Sequence, residues 1–342
     1  MTKLIRITPE DNVAVAITSV SRGTQFLICE NGNIRDCVSK GEKNNSQEKY
    51  QLLTACDDIP QGHKIAVSSI NKGEQVIKYG FSIGHATEDV EAGSWVHSHN
   101  MATNLTGEED YCYEADVKET ARANTETFEG YLREDGRAGV RNEIWIIPAV
   151  GCVNDVARKL AEDNQDLVQE SIDGLYAYTH PFGCSQTGED HAQTRKLLAA
   201  LARHPNAGAV LVLSLGCENL TREQFQKELG EYDSRRVKFL ICQQVEDELS
   251  EGRRLLQECA DYAGMFTRQR LGVDKLVIGM KCGGSDGLSG ITANPAVGRF
   301  SDILISQGGS TVLTEVPEMF GAEGGVQIIR LIPSFAASCS IR

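Results

Sequence analysis

Positive charge is in short supply. Lys and Arg number 34 against 48 Asp and Glu, a net charge of −14, which argues against nucleic acid or an anionic membrane surface as a partner. No apolar run approaches the ~18 residues needed to span a bilayer. There is no CxxC pair, so a zinc ribbon is not expected. None of the Gly-rich turns spells GxGxxG or the Walker A pattern, so nucleotide binding has no motif to rest on. The cysteines number 11, an odd count, and no secretory signal precedes them: Met1-Thr2-Lys3-Leu4-Ile5 leads straight into a strand-like pattern. A reduced, cytoplasmic protein is expected, its thiols serving as core residues, metal ligands or catalysts. What is present is a globular composition, 41% hydrophobic and 24% charged over 342 residues. That is enough chain for two or more cores and leaves room for a homo-oligomer.

The first hundred residues carry an internal repeat. Val20-x-x-Gly23-x-x-Phe26, Ile59-x-x-Gly62-x-x-Ile65, Ile70-x-x-Gly73-x-x-Val76 and Val90-x-x-Gly93-x-x-Val96 each set an apolar residue before a turn glycine and a strand after it. Such closely spaced turns predict a small all-β module, interrupted by a polar, mobile loop at Lys40–Lys49. The module closes on Val96-His97-Ser98-His99-Asn100. Two histidines at i and i+2 share a face if the segment is extended, and paired imidazoles suit a transition metal. Two exposed histidines at a strand end are the plain alternative. Thr103–Thr127, rich in Glu, Asp, Thr and Ala, reads as an acidic linker.

From Phe128 onward short apolar runs alternate with helical patterns, which predicts a doubly wound, largely parallel α/β domain. Cys152, Cys184, Cys217 and Cys282 each follow a predicted strand, at spacings of 32, 33 and 65 residues. These match one, one and two βα units of roughly 30 residues. In a parallel sheet all strand C-termini lie on one edge, where ligands bind. The phase therefore predicts a thiol-lined pocket with His180, Asn219, Ser285 and Asp286 on its rim. Within it Leu276–Ile291 stands out, a strand breaking into Lys281-Cys282-Gly283-Gly284-Ser285-Asp286-Gly287. A mononuclear metal, a catalytic thiol, and small residues at a crowded edge are the readings left open.

The segments DNVAVA (11–16), KYGFSIGHA (78–86), VHSHN (96–100), VRNEIWIIPAVGCVN (140–154), HPFGCSQTGEDH (180–191), HPNAGAVLVLSLGCEN (204–219), ICQQ (241–244) and CGGSDGLSGITANPAVGRFSD (282–302) closely resemble the altronate/galactarate dehydratase family. The resemblance runs from Met1 to about Glu323 and implies a SAF-like β module (1–104), an acidic linker (105–127) and an α/β catalytic domain (128–323). A tail (324–342) does not match. The His-x-His is similar to the altronate branch.

What the resemblance implies is a cytoplasmic hydro-lyase that uses Fe²⁺, or Mn²⁺ or another divalent metal, as a Lewis acid. It would convert D-altronate to 2-dehydro-3-deoxy-D-gluconate in hexuronate catabolism. His97 and His99 are then expected as metal ligands, with Cys184, Cys282, Lys281 and His180 as catalytic candidates. Arg141, Asn142, Asn219, Ser285 and Asp286 are expected to bind the sugar acid, Arg141 and Lys281 being candidates for its carboxylate. Cys152 and Cys217 are further pocket thiols. Family members continue beyond this point, so a C-terminally truncated, incomplete α/β domain is expected. An inactive remnant that at most binds metal or ligand, and a sister dehydratase for galactarate or another sugar acid, are the alternatives.

Overall fold

The computed structural model describes residues 4–29, 34–36, 50–105, 123, 125–169, 171–284 and 286–315. The polar stretch 40–49, nearly all of the linker, Ser285 and the tail lie outside the described residues. The chain divides into two compact units. One is Met1–Thr120 with Gly279–Ile303 and Thr311–Arg342, the other Ala121–Ile278 with Leu304–Ser310. The architecture is mixed α/β, with a β-strand region first and an α/β region after it.

The repeat explains the first region. Its strands are β1 (Leu4–Ile5), β2 (Val13–Ala16), β3 (Gln25–Cys29), β4 (Ile34–Asp36), β5 (Tyr50–Thr54), β6 (Lys64–Ala66), β7 (Gln75–Lys78), β8 (Phe81–Ala86), β9 (Trp95–Val96) and β10 (Met101–Ala102). They form antiparallel sheets in the orders β1-β2-β6-β9, β10-β8-β7 and β4-β3-β5. The apolar residues that open the repeats bridge in pairs, Val20 with Ile59 and Ile70 with Val90, and all four are buried. Each repeat then turns on a glycine at φ 83°, 81°, 83° and 93° (Gly23, Gly62, Gly73, Gly93), a conformation that costs a residue with a Cβ. Period-two alternation separates two cores. Ala14, Ala16 and Ile65 face one, and Val13, Ala66 and Val96 the other.

The second region opens with β11 (Thr127–Leu132) and β12 (Ala138–Gly139), then alternates β13 (Glu143–Pro148), α1 (Asn154–Asp163), β14 (Gly174–Ala177), α2 (Gly188–Ala202), β15 (Ala207–Ser214), α3 (Arg222–Leu229), β16 (Val237–Ile241) and α4 (Glu248–Ala263). Four strands pair in parallel in the order β14-β13-β15-β16. Both faces of β13 and β15 are apolar because both are covered. Ile144, Ile146, Leu211 and Leu213 pack with α1 and α4 through Leu160, Leu256 and Ala260. Trp145, Ile147, Val210 and Val212 pack with α2 and α3 through Leu198, Ala202, Phe225 and Leu229. Helix α3 starts at a capping box in which Thr221 accepts from the Gln224 amide and the Gln224 side chain accepts from that of Thr221.

One strand departs from expectation. β17 (Gln269–Gly272) joins β11 and β12, and β18 (Val277–Met280) pairs with β19 (Ser310–Leu313), across from helix α5 (Ala293–Ser306) in sequence. The strand before Cys282 is therefore not part of the parallel sheet. Its burial alternates between exposed and half-buried, whereas a central parallel strand such as β15 is buried throughout. Among the described residues no helix is long and apolar enough to cross a membrane.

Candidate active site

The expected site residues fall into two groups, one in each unit. At the C-terminal edge of the parallel sheet, the loops after β13, β14 and β15 carry Cys152, His180, Cys184, Cys217 and Asn219. Main-chain and side-chain hydrogen bonds lace these loops together: Gly151 N–H to Phe182 O at 2.7 Å, Asn154 Nδ2 to His180 O at 2.8 Å and Asn219 Nδ2 to Gln186 O at 2.7 Å. The strand order reverses between β13 and β15, the place where such sheets bind ligands. Cys152, Cys184 and Cys217 are all exposed there.

Both ring nitrogens of His180, a catalytic candidate, are engaged within the protein. Its Nε2 donates to Pro148 O at 2.9 Å, and its Nδ1 accepts from Phe182 N–H at 3.2 Å. A carbonyl can only accept and an amide N–H can only donate, so the tautomer is set and both nitrogens are occupied. His180 pins the β13 and β14 loops together.

Asn142, expected to bind substrate, has its side-chain amide engaged within the protein. It is fully buried at the start of β13. Its Nδ2 donates to Ser171 O and Ala263 O at 2.6 and 3.0 Å, and its Oδ1 accepts from Arg133 at 2.9 Å. Arg141 lies on the N-terminal side of β13, away from the strand C-termini. It pairs with Glu143 at 2.9 Å beside a shallow groove of about 530 Å³ that Trp145 and Tyr178 also line.

The second group lies in the unit of the β module. The i, i+2 geometry assumed for His97 and His99 does not hold, because β9 ends at Val96 and His97–Asn100 is a turn. Buried Asn100 staples that turn, accepting from His97 N–H at 2.9 Å and donating to Trp95 O at 2.9 Å. The two rings are nevertheless nearly parallel, with centroids 6.5 Å apart and planes at 16°.

A third imidazole, His63, stacks on His97 at 5.1 Å. Motif reading missed it, yet it was within reach: with Lys64 opposite Val96 in the β6–β9 register, the next residues out are His63 and His97. Trp95 Nε1–H donates to His63 Nδ1 at 3.2 Å, so the proton of neutral His63 sits on Nε2 and that nitrogen is a donor. Desolvation, followed by His63, Lys64 and His99, holds His97 below its ordinary range. That direction favours the neutral ring, the form with a nitrogen lone pair to give. The donor chemistry of His97 and His99 thus fits two ligands of a borderline divalent metal. Among the described residues no group of three or more His, Cys, Asp or Glu converges on a common point.

The loop 281–287 belongs to the same unit. Exposed Lys281 faces Glu315 at 3.6 Å, and Cys282 N–H donates to Glu315 Oε2 at 2.6 Å. Asp286 accepts from Leu288 N–H at 2.7 Å and Ser289 Oγ at 3.2 Å. These bonds keep its carboxyl below the usual range, Leu288 contributing most. Asp286 therefore caps the turn that leads into Ser289–Ile291. Gly287 touches the β module directly, since a Cβ there would stand 2.7 Å from Gly62 Cα. Lys64, Lys78 and Tyr79 also lie in this unit, and nothing in their spacing marked them beforehand.

Three family models match in succession: "Altronate/galactarate dehydratase SAF domain" over residues 2–104, "D-galactarate dehydratase/Altronate hydrolase, second domain" over 130–264 and "D-galactarate/Altronate dehydratase, C-terminal" over 273–329. The chain is 45% identical to altronate dehydratase of Escherichia coli K12, over 93% of its own length and 61% of that protein. It is 46% identical to altronate dehydratase of Bacillus subtilis 168, over 94% and 62%. Against galactarate dehydratase (L-threo-forming) of E. coli K12 the identity is 30%, over 78% and 54%. The chain therefore spans about three fifths of the length of the altronate dehydratases it matches.

Proposed function

We propose that this chain, which belongs to the altronate/galactarate dehydratase family, is a cytoplasmic hydro-lyase that dehydrates D-altronate to 2-dehydro-3-deoxy-D-gluconate. The observation that carries the choice of substrate is 45–46% identity to two altronate dehydratases against 30% to a galactarate dehydratase. The reaction removes a weakly acidic proton from C2, beside a carboxylate, and expels hydroxide, a poor leaving group, from C3.

His97 and His99 would hold the divalent metal. When bound, it supplies Lewis-acid polarisation of the substrate's oxygens, Fe²⁺ being the first candidate and Mn²⁺ the second. His63, with its proton on Nε2, supplies a hydrogen-bond donor beside them. Of the two thiols considered for proton transfer we favour Cys282, because its loop reaches the β module's Gly62 turn through Gly287. Asn219 and Asp286 remain candidates for the sugar hydroxyls, and Ser285, outside the described residues, keeps that role on the same motif. We further take the parallel sheet, with helices on both faces, as the core of a doubly wound domain.

The test is a 2-keto-acid assay on the purified 342-residue chain under reducing conditions, with and without Fe²⁺. Turnover of D-altronate is expected, and near-zero turnover with iron present would overturn the reading. Product from galactarate alone would reassign the substrate. His97→Ala with His99→Ala should abolish both turnover and bound iron by metal analysis. Unchanged iron content would remove these residues as ligands.

A further inference from the structure

Arg141 has Glu143 and Lys281 has Glu315, so both side chains first expected to meet the substrate's carboxylate already face a carboxylate of the protein. Lys64 and Lys78 do not. Both are half-buried, and among the described residues neither has an ion-pair partner. Asp11, whose charge favours the Lys78 ammonium, is buried with its oxygens taken by Ile7, Thr8 and Gly80. Burial pulls the ammonium of Lys64 down, and burial and then Lys64 do the same for Lys78. Two desolvated like charges facing each other disfavour the folded state unless an anion joins them.

The residue after Lys78 points the same way. Among the described residues Tyr79 is the one non-glycine residue held at positive φ, 59°, a conformation that side chains resist. Its hydroxyl is buried with no hydrogen-bond partner among the described residues, and Lys78 Nζ sits 4.5 Å from its ring centroid. Over this patch runs the turn that follows Asp286. It touches Gly62, next to His63 and Lys64, at Gly287. At Gly290 it meets Tyr79, where a Cβ would lie 3.0 Å from the ring. Two half-buried lysines with no ion-pair partner among the described residues and the Tyr79 phenol thus lie where the glycine-rich turn meets Gly62 and Tyr79, with the His63–His97 pair adjacent.

We propose that Lys64 and Lys78, with the Tyr79 hydroxyl, form the site that receives the carboxylate of the acid substrate. The identity of that carboxylate rests on the hydro-lyase reading above; the presence of an anion site does not. A carboxylate here accepts charge-assisted hydrogen bonds from both lysines.

The experiment is a binding titration on the 342-residue chain, following the fluorescence of Trp95, which packs against His63 and His97. The probes are D-altronate, the uncharged alditol altritol, and D-lactate as a 2-hydroxy carboxylate without the sugar chain. Wild type should bind altronate and not altritol. Lys64→Met and Lys78→Met should each weaken altronate binding roughly 10- to 100-fold, while Lys64→Arg and Lys78→Arg retain most of it and show that the fold is intact. Altronate bound equally by wild type and both Met variants overturns the proposal and leaves the hydro-lyase reading standing. Lactate bound through the two lysines, with no altronate bound, retains the anion site and overturns the hydro-lyase reading. No carboxylate bound by wild type overturns the proposal outright.

Discussion

Asn142→Ala tests whether the VRN segment serves the substrate or the fold. In the structure the amide completes three hydrogen bonds inside the second unit, two to the carbonyls of Ser171 and Ala263 and one from Arg133. Arg133 is itself buried, and burial followed by repulsion from Arg236 pulls its guanidinium down to about 10, so it tolerates the loss of an acceptor poorly. Gly208 has no side chain for the same reason: a Cβ there would stand 2.2 Å from Asn142 Oδ1. Truncation leaves these groups without water or replacement partners. At about 1–1.5 kcal/mol each, the loss is about 3–5 kcal/mol, a large share of a domain's net stability. For a unit of this size that corresponds to a fall of about 10 °C in melting temperature. Circular dichroism melts of wild type and variant read it directly. Asn142→Asp should fare no better, because a carboxylate would then face two carbonyl oxygens. A melting temperature within about 2 °C of wild type, combined with weakened altronate binding, would refute the structural assignment.

Two further outcomes follow from the β module. Burial raises the Asp11 carboxyl, but hydrogen bonds from Gly80, Thr8 and Ile7 outweigh it and leave the group below its ordinary value. The folded form therefore binds this proton less well than the unfolded chain. The stabilisation is full above about pH 4 and is lost as pH falls through the lowered folded value. Urea midpoints at pH 6 and pH 3 should differ less in Asp11→Asn than in wild type, and an identical difference would contradict this. Gly287→Ala forces a Cβ to 2.7 Å from the Gly62 backbone, a clash worth about 1–3 kcal/mol. Amide exchange at Ser289–Ile291 should speed up, while Gly283→Ala, with nothing within 4 Å, should leave it unchanged. Equal exchange in all three proteins would mean that the Gly62–Gly287 contact is not made.

Local pattern carried much of the fold. The four glycine turns of the β module emerged where sequence placed them, because positive φ is set by residues within a few positions. Strand membership was harder to read. Val277–Met280 has the composition of a buried strand, but its partner is Ser310–Leu313 and not β16, and pairing depends on residues far away in the chain. His180 and Asn142 looked reactive because histidine and asparagine can do chemistry. Their hydrogen-bond partners within the protein are visible only in three dimensions.

Sequence alone determined the family, the β-then-α/β order, the motifs at 96–100 and 282–302 and the cysteines after β13, β14 and β15, since each is written in adjacent residues or in a constant spacing. Tertiary structure alone decided which of those residues remain available. It set His63 against His97 through antiparallel register, occupied Arg141 and Lys281 with acids of the protein, and left Lys64 and Lys78 half-buried with no ion-pair partner among the described residues. Charge pairing and hydrogen-bond saturation are properties of neighbours in space, and no spacing along the chain encodes them.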